Sequence, residues 1–131
     1  MNKSVINDEL AVAYDAVKEA QIANEKGEVN KTYRGQVTSF GAAVLMGSLL
    51  PSIAFFSDSK KSSVDRTKIL EAIFYILKQK GKIKQHEKDL FEYAKTESDE
   101  KKEEILNAAT ALKLAMNLYH LTEETENEIS V

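Results

Sequence analysis

Five lysines lie within the eleven residues from 78 to 88, at Lys78, Lys80, Lys82, Lys84 and Lys88. A flexible stem carrying a compact charge suits contact with phosphates, which positions a polyanion without reading its bases. The same residues have a plainer use, because lysines near a helix C-terminus complement its dipole and keep the surface soluble. Lys31, Arg34, Lys60, Lys61, Arg66 and Lys68 favour the polyanion if folding gathers them on one face. The formal charge of −3 divides into −3 over residues 1–30, +7 over 31–88 and −7 over 89–131. A weakly acidic total thus hides a basic middle and an acidic C-terminal third, a separation that steers oppositely charged partners.

Other reactive patterns are missing. His86 and His120 are isolated, with no Glu three residues ahead of either and no His-Glu-x-x-His pair. Asp99, Glu100, Glu103 and Glu104 lack the alternating ligands and central glycine of a calcium loop, and read as a solvated helix start. Gly35 to Gly41 lacks the Gly-Lys-Ser/Thr ending of a phosphate loop, and Ser48 lacks the flanking glycines of a nucleophile elbow. With no cysteine, neither a disulfide, a thiolate metal site nor a cysteine nucleophile is available. The chain reads as a binding or scaffold protein and not an enzyme, with no catalytic residue, metal or cofactor.

Helix is the only period in the sequence, and the expected fold is all-α, a single-domain bundle of about five to six helices over residues 1–131. The first helix is expected from Ser4 to Glu25 on the spacing of Ile6, Leu10, Ala13, Tyr14, Val17 and Ala20, with Gly27 as its stop. Two more are expected over Lys31 to Met46 and Leu49 to Phe56, each buried on much of its circumference, with Ser48 as the cap before Leu49, Leu50 and Pro51. A fourth starts near Ser63, carries Ile69, Leu70, Ile73, Phe74, Ile76 and Leu77, and closes at Gly81. A short helix holding Leu90, Phe91, Tyr93 and Ala94 precedes a last one from Asp99 to Tyr119, whose stripe Leu114, Leu118 and Leu121 widen. Residues 122–131 are expected to form a frayed acidic tail.

Residues 35 to 57 carry no charge in a chain that is 30% charged. The stretch is long enough to span a bilayer, but Gln36, Thr38, Ser39, Gly47, Ser48, Pro51 and Ser52 interrupt it, and two helices meeting at Gly47-Ser48 explain it better. The first dozen residues include Asp8 and Glu9 where a secretory signal is continuously apolar, so a reducing cytoplasm is expected. Asn30-Lys31-Thr32 is then a chance glycosylation pattern.

The order Tyr33, Val37, Phe40, Val44, a glycine break, Leu49 and Ile53-Ala54-Phe55 resembles the signature of the small subunit of Cmr, the type III-B CRISPR RNA-guided effector complex. Tyr33 with Arg34, Leu49 and Ile53-Ala54-Phe55 keep the family's relative spacing. The family's proline falls at Gly41 and its Asn-Gly at Gly47-Ser48. A long amphipathic first helix and a Leu-rich last helix after an acidic turn also match. The family's usual tryptophan is missing there, and its following basic residues are replaced by Tyr119, His120 and the acidic tail.

The resemblance implies a non-catalytic subunit of an antiviral ribonucleoprotein, stacked in several copies into a minor filament beside the backbone subunits, with guide and target RNA between the filaments. RNA cleavage then belongs to the backbone subunit and cyclic oligonucleotide synthesis to the large subunit. The expected RNA-facing set is drawn from Lys18, Lys31, Arg34, Lys60, Lys61, Lys78, Lys80, Lys82 and Lys84. Opposite charges on 31–88 and 89–131 suit contact between the basic face of one copy and the acidic face of the next. The alternative is a small cytoplasmic helical adaptor that binds a protein partner through an apolar groove, without nucleic acid.

Overall fold

The computed structural model describes residues 1–58, 64–96 and 98–123. Among them the elements run α1 (Lys3–Glu19), β1 (Glu28–Asn30), α2 (Lys31–Leu45), α3 (Leu49–Phe56), α4 (Thr67–Gln79), α5 (Leu90–Ala94), α6 (Asp99–Met116) and β2 (His120–Thr122). The predominantly helical expectation holds, and none of these helices is long and apolar enough to cross a membrane.

The core is built around α6, which packs against α1, α2 and α4. Its buried face is mostly small, with Ala108, Ala109, Ala111 and Ala115 between Ile105, Leu112 and Met116. Ala13 and Ala16 of α1 are also fully buried, so the two backbones can approach closely. Two ties set their direction. The Asn2 amide donates to Asn107 Oδ1 at 3.0 Å, and the Tyr119 hydroxyl donates to the Tyr14 carbonyl at 2.6 Å. Both span 105 residues, so α1 and α6 run parallel and in step. The Tyr14 and Tyr119 rings stack at 4.7 Å beside the second tie.

The first helix stops earlier than expected, at Glu19. Gln21 takes a left-handed φ of 61°, its amide donates to the Lys18 carbonyl, and the Ile22 amide reaches back to Val17. This closure satisfies the last carbonyls and buries Ile22 against the core, so the helix ends without a glycine. Gly27 serves the next turn, in which Asn24 Oδ1 accepts from the amides of Lys26 and Glu28.

That turn leads into a feature the sequence did not announce. β1 pairs in parallel with β2, matching Glu28 to His120, Val29 to Leu121 and Asn30 to Thr122. Three residues are too few to show alternation, although Val29 is fully buried. Thr122, expected in the tail, lies in β2, and residues 124–131 are outside the described set.

The uncharged stretch is buried on one face only. Val37, Phe40 and Val44 of α2, in line with Tyr33 before the stretch, and Leu49, Ser52, Ile53 and Phe56 of α3 point inward, whereas Leu45, Met46 and Phe55 are exposed. Gly47, at a φ of 125°, makes the break between them. Ser48 occupies the cap position, but its side chain makes no capping bond; its carbonyl instead accepts from the Ser52 amide and hydroxyl.

Ser63 is outside the described residues, and α4 begins at Thr67, where Asp65 Oδ1 accepts from the Thr67 amide and hydroxyl. Gly81 closes α4 as expected, at a φ of 76°, with its amide on Lys78 and that of Lys82 on Leu77. The last helix ends at Met116, three residues early, and Leu114 and Leu118 are exposed while Leu121 is half-buried.

The two left-handed closures give opposite expectations. Replacing Gln21 by Gly relieves a side chain held in a disfavoured region and raises stability by about 0.5 kcal/mol, whereas Gly81→Ala lowers it by about 1 kcal/mol. Urea midpoints at unchanged slope measure both.

Candidate nucleic-acid interface

The strongest local concentration of positive charge is the loop that follows α4. Its course is set by two internal closures. Gly81 turns the chain off the helix, and Glu87, itself buried, accepts from the Lys84 amide at 2.7 Å while its own amide donates to the Lys84 carbonyl. Lys78, Lys80, Lys82, Lys84, Lys88 and His86 are left exposed. Lys78, Lys80, Lys84 and Lys88 form no ion pair with any described acidic residue.

Lys82 is different. Its Nζ lies 3.2 Å from Glu104 Oε2 on α6, and the Glu104 side chain is only 18% exposed. The other Glu104 oxygen accepts from the Tyr93 hydroxyl of α5. Burial, then this bond and the charges of Glu104, Glu100 and Glu87, push the Tyr93 ionisation far up, so the phenol remains a donor. Lys101 packs over the Tyr93 ring at 4.9 Å and donates to the Tyr93 carbonyl.

Beneath the loop lies Glu9 of α1, 2% exposed, with Oε1 making no hydrogen bond. Desolvation raises its pKa; Lys80 and Lys82 oppose that shift, and Glu104 and Asp8 reinforce it. Glu9, Glu87, Glu104 and Tyr93 are the residues of this site that the basic pattern does not reveal. Glu9 did leave a signal, since it lies on the apolar face of its helix, three residues after Ile6 and four before Ala13.

The remaining described candidates lie at the opposite end of α4. Lys68 donates to the Gln21 carbonyl near the end of α1, so α4 runs antiparallel to α1. Its 13 residues separate that end from the 78–88 loop by about 20 Å. Lys31 pairs with Glu123 at 2.5 Å, and Lys18 stands 5.7 Å from the Tyr14 ring centre. Arg34 is half-buried, with an Nε that makes no hydrogen bond. Arg66 is structural: only 8% exposed, it donates to the Phe55 carbonyl and lies 4.3 Å over the Phe55 ring. Lys60 and Lys61 lie outside the described residues. Among the described residues, therefore, the loop lysines cluster at one end, and Lys18, Lys31 and Arg34 lie toward the other. Tyr33 is a core residue whose pKa is raised by burial and then by Asp65.

No group of three or more His, Asp or Glu side chains among the described residues is placed to hold a metal ion. A family model described as CRISPR-associated protein (Cas_Cmr5) matches residues 7–125. No curated protein and no solved structure matches the chain.

Glu9 holds its proton more tightly in the fold than in the unfolded chain, so its ionised form weighs against folding. That cost is absent below the ordinary glutamate value of 4.5, grows as pH rises from there to the raised folded value, and is constant above it. Glu9→Gln therefore stabilises the protein at neutral pH, with a gain that shrinks as the medium is acidified. Thermal midpoints across pH measure it, and a gain that does not vary with pH rules out titration at Glu9.

Proposed function

Because the chain belongs to the CRISPR-associated Cmr5 family, the small subunit of the Cmr complex, we propose that it is a cytoplasmic, non-catalytic component of the minor filament, supporting guide and target RNA in antiviral defence. The observation that carries this reading is the end of α4 and the closed loop after it, where Lys78, Lys80, Lys84 and Lys88 are exposed and have no ion-pair partner among the described residues. A preorganised row of ammonium groups suits phosphates, whose spacing does not depend on sequence.

Lys18, Lys31 and Arg34 form a second set toward the other end of α4, suited to the same strand further along or to the next copy. Lys60 and Lys61 remain candidates for RNA contact. Lys31 reaches RNA by exchanging Glu123 for a phosphate. The acidic N-terminal turn of α6, with Asp99 and Glu100, offers a complementary surface for a second copy, and head-to-tail contact of this kind extends a filament. Partners are then further copies of the chain, the backbone and large subunits of the complex, and RNA.

A second reading, an adaptor for a protein partner, draws support from Leu45, which lines an apolar groove with Leu106 and Ala109 between α2 and α6. Capture of the tagged protein with and without nuclease separates the two readings. A ribonucleoprotein carrying short repeat-derived RNAs supports the first. One protein partner, unaffected by nuclease and without RNA, supports the second.

The lysines themselves are tested by the salt dependence of binding to single-stranded RNA. Changing Lys78, Lys80 and Lys84 together to Gln weakens binding and lowers the slope of log K against log salt by about 2, at roughly 0.7 per lost phosphate contact. An unchanged slope removes these residues from the interface.

A further inference from the structure

The basic loop carries its own counter-ions. Lys82 is held by Glu104, and Glu9 lies close enough to feel both Lys80 and Lys82. Both carboxylates are largely withdrawn from water, and Glu9 Oε1 has no hydrogen-bond donor among the described residues. A buried carboxylate is tolerated only where a cation or a proton offsets its charge.

We propose that Lys82 exchanges Glu104 for a phosphate when a polyanion binds the loop, and that the carboxylates left behind take up a proton, so that binding here is linked to protonation. This rests on the reading of the loop as an RNA contact. The groups facing the exchange are Asp8 and Glu9 on α1, Lys80, Lys82 and Glu87 in the loop, Tyr93 on α5, and Glu100, Lys101 and Glu104 on α6. Tyr93 stays protonated in both states, because burial and the surrounding carboxylates hold its ionisation far above neutrality. Asp8 and Glu100 are exposed to water and Glu87 is held by the Lys84 amide, so the proton is assigned to Glu104 and Glu9. Withdrawing Lys82 leaves Glu104 and Glu9 in a largely buried site without the cation that faces them, and burial already raises the proton affinity of Glu9.

Linkage then makes affinity rise as pH falls, by at most about tenfold per pH unit for each whole proton taken up. The test uses the full chain carrying His86→Gln and His120→Gln, so that no imidazole stands in or near the loop. Polyuridylate, which does not titrate near neutrality, is bound calorimetrically at low salt in buffers of different ionisation enthalpy. The expected result is net proton uptake of a sizeable fraction of one per bound site. Glu104→Gln abolishes most of it and tightens binding several-fold near neutral pH. Lys82→Met also abolishes it but weakens binding, which keeps the test decisive if the Glu104 variant does not fold. Binding without proton exchange, or uptake that survives Lys82→Met, overturns the linkage while leaving the RNA contact in place. Failure to bind polyuridylate at all overturns the RNA reading of the loop itself.

Discussion

The close parallel contact between α1 and α6 is the constraint on which the other parts depend. It is made possible by alanines, Ala13 and Ala16 on one side and Ala108, Ala111 and Ala115 on the other, all fully buried. Because the helices lie in step, the chain leaving α1 and the chain leaving α6 emerge at the same end, and there β1 and β2 pair in parallel. That pairing starts α2 at Lys31, directly after Asn30, whose side chain accepts from the Thr32 amide. At the opposite end, the start of α6 lies against the loop after α4 and supplies Glu104 to Lys82.

The charge distribution acquires a different meaning once folded. In the linear chain the acidic C-terminal third balances the basic middle, and each appears free for a partner. In the fold part of that balance is internal: Glu104 holds Lys82, and Glu123 holds Lys31. Exposed pairs such as Lys31–Glu123 contribute little to stability and exchange readily. Glu104 is largely buried and also bonded to Tyr93, so its contact with Lys82 costs more to leave unpaired. Lys78, Lys80, Lys84 and Lys88 carry most of the uncommitted charge of the loop.

Helix existence was legible in the residues wherever the apolar spacing was sustained. Tyr33, Val37, Phe40 and Val44 all face inward, and Gly81 closes α4 where a glycine was expected to. Ends were less legible, because a closure can be made by a residue with no special propensity. Gln21 in the left-handed region is held by its own amide on Lys18 and by the Ile22 amide on Val17, beside the burial of Ile22 in the core. The parallel strands were illegible for a similar reason: their pairing comes from helices brought together by residues far away in the chain. The basic loop could be read from its lysines, but its carboxylate partners could not, since Glu104 belongs to what looks like a solvated helix start. Leu114 and Leu118 misled in the opposite sense: Leu114 is on a side of α6 that its neighbours leave open, and Leu118 lies beyond the end of the helix.

The two ties between α1 and α6 also say something about the order of events in the cell. Asn2 finds Asn107, and Tyr14 finds Tyr119, only after 105 further residues have been made. Domains generally fold from the N-terminus as they emerge, yet here α1 has its principal packing partner in α6, which is made some eighty residues later. During synthesis the apolar face of α1, with Ile6, Ala13 and Val17, has no final seat. The nascent chain is therefore exposed to chaperones, or to premature association with other nascent copies, until α6 arrives to complete the core.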